Sequence, residues 1–77
     1  MKLGRYKHYK GKFYQVIGVA LDKAIENKVV LYHALYNCPE LLDEYGPNPI
    51  FTRPYNEFFA EVEYDGHKMP RFEYVGK

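Results

Sequence analysis

The chain has 77 residues, a net charge of +1 and 14 aromatic residues, nine of them Tyr and five Phe. That length holds one domain with a thin margin of stability, and the near-zero charge excludes a chain that coats nucleic acid by charge alone. A single cysteine, Cys38, excludes an internal disulfide and any CxxC metal site, and fits a reduced, cytoplasmic setting.

The first stretch, "GRYKHYKGKFYQVIGVA" (residues 4–20), joins positive charge and tyrosine to an apolar run. Alternation over residues 4–9 puts Tyr6 and His8 on one face and Arg5, Lys7 and Tyr9 on the other. Lys10-Gly11 is a turn signal, because glycine reaches positive φ without steric cost. "FYQVIGVAL" (residues 13–21) is then rich in strand formers. Both its faces are largely apolar, which predicts a central strand. Gly18 inside it predicts a bulge or sharp bend. No apolar run in the N-terminal residues reaches signal-peptide length, and none approaches a membrane span.

"DKAIENK" (residues 22–28) suits either a short helix or a hairpin turn. The β-branched pair Val29-Val30 makes "VVLYHALY" (residues 29–36) a second strand rather than part of one long helix. "PELLDEYG" (residues 39–46) reads as one or two helical turns, with Pro at the start, acids early and Gly as the stop. "IFTRP" (residues 50–54) is a short strand ended by proline. "YNEFF" (residues 55–59) is a helical turn whose Phe58 or Phe59 plugs the core. Residues 60–75 read as a strand, a turn at Asp65-Gly66 and a final short strand or strap. The expected architecture is mainly β: a small, SH3-like bent barrel of about five strands with one or two short helical turns, as one domain over residues 1–77.

Catalytic sets are missing from the pattern. There is no serine, and Thr52 is the lone threonine. Cys38 stands in a loop before Pro39 with no neighbouring base. His8, His33 and His67 show no paired ligand spacing, so neither a metal nor another cofactor is expected. His33, among apolar neighbours, reads as a half-buried imidazole with one hydrogen-bond partner. Gly11 and Gly18 are isolated and form no phosphate loop. These absences point away from an enzyme.

Binding residues stand out more. Arg5, Lys7, Tyr9, Lys10 and Lys12 interleave cations with an aromatic ring, a pattern that holds phosphate by charge and a base by stacking. Arg53 sits between a short strand and a proline, so its backbone is stiff; its guanidinium can fork to a phosphate or carboxylate. An internal ion pair with Glu57 or Glu61 is the competing role. Arg71, in "MPRF", has the same two roles. His8 and Tyr32 are candidates to line one concave surface. The candidate ligand-binding set is therefore Arg5, His8, Tyr9, Lys10, Tyr32, Arg53 and Arg71.

The motifs "GRYKHYKGKFYQVIGVA", "VVLYHALY" and "RPYNEFFAEVEYDGHKMPRF" resemble the bacterial DUF1653 family over nearly the whole chain. That pattern runs G-x-Y-x-H-Y-K-G-x-x-Y-x-V-x-G-x-A, then Y-x-A-L-Y, then R-P-x-x-x-F and D-G-x-x-x-P-R-F. The chain departs from it in two places. Phe51 stands where the family pattern has Trp, and the connection over residues 37–49 is longer than in the shortest members. The resemblance implies an SH3-like barrel and assigns no activity. The expected function is a non-enzymatic module for a small anionic ligand such as a nucleotide, with sequestration of it in a homo-oligomer as one form. A protein-interaction module and a nucleic-acid-binding barrel are the alternatives. A membrane partner is not expected.

Overall fold

The computed structural model describes all 77 residues. Seven strands form: β1 (Gly4–His8), β2 (Phe13–Asp22), β3 (Asn27–Ala34), β4 (Ile50–Pro54), β5 (Glu61–Tyr64), β6 (His67–Pro70) and β7 (Phe72–Gly76). The helical pieces are short: a 3-10 turn at Pro39–Leu41, α1 (Leu42–Tyr45) and α2 (Tyr55–Phe58). Five strands make one antiparallel sheet in the order β4-β3-β2-β1-β7, and β5 and β6 make a separate hairpin. The fold is mainly β, as the sequence predicts. The hydrogen-bonded ladder is left open, with β4 and β7 as its edges.

The strand boundaries follow local chemistry. Residues 23–26 make the hairpin turn rather than a helix, with Glu26 at φ 49°. Asp65 and Gly66 both have positive φ, 56° and 80°, as a tight two-residue hairpin turn requires. Pro39 opens the helical stretch and Gly46, at φ 81°, closes it. One expectation needs correction: residues 67–75 are not a single strand. The chain breaks at Arg71, so that β6 pairs with β5 while β7 crosses to β1. Arg71 stitches both sheets, since its N–H donates to the Ala60 carbonyl and its carbonyl accepts from Tyr9 N–H, each at 2.9 Å.

Directly opposed residues in an antiparallel ladder point to the same side. The pairs Tyr6–Tyr14, Tyr6–Tyr74, His8–Phe72, Val16–Tyr32, Tyr32–Phe51 and Val30–Arg53 therefore define one face. That face holds the core: Tyr6, Val16, Val30, Tyr32, Phe58 and Phe72. Between Val16 and Gly18 the register slips, so the expected bulge forms, with Ile17 as the extra residue. β2 is central in the ladder, but it is not apolar on both sides of a core. Phe13 and Ile17 stay substantially exposed on the outer face.

Phe58 is the plug, and Phe59 lies nearer the surface. The Phe58 ring stacks on Phe72 with centroids 4.0 Å apart and planes 2° from parallel. Tyr6 and Tyr32 meet Phe58 edge-on at 5.5 and 5.3 Å. Such aromatic pairs add about 0.5–1.5 kcal/mol each beyond area burial.

Three substitutions test this account by urea denaturation. Phe58→Ala removes a fully buried ring and is expected to cost about 3–5 kcal/mol; a cost below about 1 kcal/mol contradicts the plug role. Gly4 has φ +136°, and a Cβ there would lie 2.9 Å from the Gly76 carbonyl oxygen. Gly4→Ala is thus expected to lose about 1–3 kcal/mol. Gly18 has open space and ordinary φ, so Gly18→Ala should change stability by less than about 1 kcal/mol.

Candidate functional site

One corner of the core-side face collects most of the candidate residues. β1 ends there with His8, β7 begins there with Phe72, β3 supplies Tyr32 and β4 supplies Arg53. The rings of His8, Tyr14 and Tyr32 meet Phe72 edge-on at 4.9, 5.6 and 5.5 Å. The Arg53 guanidinium carbon lies 5.8 Å from the centre of the same ring. Phe72 is thus the shared wall of the cluster. Arg53 Nε donates to the Tyr32 hydroxyl at 3.3 Å, a long bond. Tyr14 and Tyr36 share a hydrogen bond between their hydroxyls at 2.8 Å. Burial and that bond hold the Tyr14 phenol well above its ordinary range, so it stays protonated.

The cations here lack carboxylate partners. Arg71 Nε donates to the backbone carbonyl of Glu57 at 3.1 Å, and the chain's one ion pair is Lys23–Glu26 on the far hairpin turn. The internal pairing of Arg53 with Glu57 or Glu61 does not form. His8 sits among these charges. Its Nδ1 accepts the Lys10 N–H at 3.1 Å, which leaves Nε2 to carry the proton of a neutral ring. Burial first, then the positive charges of Arg53, Arg71 and Lys10, push the His8 pKa below 6.5. Two guanidiniums, an ammonium and a neutral imidazole, with no acid paired to them, form a corner of positive charge.

Six of the seven expected binding residues gather at or beside this corner. Tyr9 lies just past β1, with its ring 4.5 Å from His8 and 5.4 Å from Tyr64. Lys10 Nζ stands 5.8 Å from the Tyr9 ring. Arg5 does not join them. It opposes Gln15 and shares the outer face with Lys7, because odd positions of β1 point away from the core. The interleaved basic stretch is therefore split across the sheet. Lys12 turns to the Tyr36 ring, 4.2 Å away. Sequence reasoning missed Tyr14, Tyr36 and Phe72. The alternation Tyr14–Val16 could have flagged the first; Phe72 depends on a pairing between the two ends of the chain. His33 lies on the opposite face from His8 and makes one bond, between Nδ1 and the Ala34 carbonyl at 3.3 Å.

A cleft of about 360 Å³ adjoins the corner, lined by Leu41, Tyr45, Pro49, Ile50, Phe51 and Thr52. It lies between the 39–49 connection and β4. Its link to the cationic corner is Phe51, whose ring meets Tyr32 at 5.7 Å. A smaller hollow of about 130 Å³ lies against Lys7, His8, Tyr9, Met69, Pro70 and Glu73.

The lowered His8 pKa fixes the sign of one pH effect. Between that pKa and 6.5 the unfolded chain binds more protons at this position than the folded one, so His8 lowers stability as pH falls through the window. An NMR titration of the His8 ring should give a midpoint below 6.5, and His8→Phe should reduce the loss of stability between pH 7 and 5. A midpoint at or above 6.5 contradicts the neutral, cation-surrounded ring.

The family described as "protein of unknown function (DUF1653)" matches residues 4–74. The chain is also similar to a crystal structure of a DUF1653 protein from Bordetella bronchiseptica, at 33% identity and a TM-score of 0.84, covering 99% of this chain and 88% of that one. No curated protein matches. The chain belongs to the DUF1653 family.

Proposed function

We propose that this DUF1653 chain is a non-enzymatic module that binds a small anionic ligand, with a nucleotide as the best-fitting class. The carrying observation is that Arg53, set over the Phe72 ring and bonded to the Tyr32 hydroxyl, and Arg71, the residue before Phe72, stand beside the His8–Phe72 ring pair with no ion pair to either. A folded domain this small gains nothing from unpaired cations held together, because like charges repel. A bound anion offsets that repulsion and supplies the missing acceptors for two guanidiniums, which suit the oxygens of a phosphate.

The surroundings favour binding over turnover. The aromatic side chains around the corner give planar surfaces for a ring. Neither the Thr52 hydroxyl, on the outer side opposite Leu31, nor the buried Cys38 thiol, 3.7 Å from the Tyr36 carbonyl, is hydrogen-bonded to an imidazole or carboxylate. A module of this kind holds its ligand, and sequestration is the simplest use of it.

Thermal melting against inorganic phosphate, pyrophosphate and a panel of nucleoside phosphates tests the reading. A ligand bound only by the folded state stabilises it by about 2.7 kcal/mol at a hundred times its Kd, so a clear rise in Tm is expected with at least one compound. Arg53→Gln should keep the circular dichroism spectrum and lose most of that rise. A panel flat at millimolar concentration, or an Arg53→Gln protein that responds as the wild type does, overturns the proposal.

A further inference from the structure

We infer that the cleft beside β4 is the base-binding half of the same site, so that the ligand is a nucleoside monophosphate bound with its base in the cleft and its phosphate at Arg53. This rests on the anion-binding reading above and specifies its ligand.

Three features of the cleft carry the inference. First, it shares β4 with the cationic corner. Phe51 lines the cleft and touches Tyr32, and Tyr32 accepts the hydrogen bond from Arg53. Phe51 and Arg53 alternate along β4 on one face, two residues and about 7 Å apart at the strand rise. That gap suits a sugar between ring and phosphate.

Second, the lining is apolar and partly aromatic, and it runs along an edge strand. Leu41, Tyr45, Pro49, Ile50 and Phe51 supply the walls. Three consecutive residues of β4, Ile50, Phe51 and Thr52, all line it, so the cleft follows the strand rather than one of its faces. β4 pairs with β3 alone, and an edge strand presents unpaired N–H and C=O groups. A hydrocarbon chain would desolvate those groups without pairing them, at a cost. A nucleobase offers ring faces for the walls and edge donors and acceptors for the main chain.

Third, charge divides the site in the right sense. The cleft's lining residues carry no charge, and Arg53 stands at one end of β4. A neutral base and an anionic phosphate match that division.

Isothermal titration of the whole chain tests this with adenosine monophosphate, inorganic phosphate, adenosine and hexyl phosphate. Adenosine monophosphate is expected to bind at least about tenfold tighter than phosphate, the gain expected of one stacked base. Ile50→Ser and Tyr45→Ala, both at exposed side chains, should erase that gain and leave phosphate affinity unchanged. Arg53→Gln should weaken phosphate and adenosine monophosphate alike. Equal affinities for phosphate and adenosine monophosphate overturn the base subsite while anion binding stands. A gain that hexyl phosphate matches, or that survives both cleft substitutions, also overturns it. No binding by any of the four overturns this inference together with the reading beneath it.

Discussion

The stack of Phe58 on Phe72 is the contact on which the rest depends. The sheet is an open ladder, so no hydrogen bonds join β4 to β7. Phe58 lies just after β4, and Phe72 begins β7. Their rings, 4.0 Å apart and parallel, bring the two ends of the sheet together across the core. In this molecule apolar contact closes what main-chain pairing leaves open. Tyr6, Val16, Val30 and Tyr32 fill the space that the closure creates.

Phe72 also belongs to the candidate site. One side of its ring completes the core, and its surroundings include His8, Tyr14, Tyr32 and Arg53. The position of the charged groups is therefore set by packing rather than by ion pairs. That arrangement leaves the guanidiniums their hydrogen-bonding capacity. A salt bridge would fix an arginine equally well but would consume the donors that a phosphate needs. The neutral state of His8 follows from the same crowding of charge, since a fourth cation in one corner is disfavoured.

Much of the fold was legible because it rests on local chemistry. Lys10-Gly11, Asp65-Gly66, Gly46 and the prolines mark turns wherever they stand in the chain. The β-branched run at Val29-Val30 decides between strand and helix within a few residues. Phe58 was visible as a plug through its place in an aromatic helical turn. What stayed hidden depends on pairing between distant segments. The break at Arg71, which sends β6 and β7 to different sheets, has only Pro70 as a local signal in "HKMPRFEYV", and that proline does not say which strand each half will pair with. The site divides the same way. Arg53 stood out by its stiff setting and His8 by its face of β1. Arg5 looked equivalent to Lys10 in sequence, yet alternation carried it to the outer surface. The cleft could not be read at all, since it arises between a loop and an edge strand.

The open edge at β4 has a bearing on how the molecule behaves in quantity. An unpaired strand invites pairing with neighbouring chains. Here the exposed edge is brief: Pro49 precedes it and Pro54 ends it, and proline cannot donate to a ladder. Four residues between two prolines give a second chain little to zip against. The two prolines thus limit edge-to-edge pairing between copies of the chain at β4.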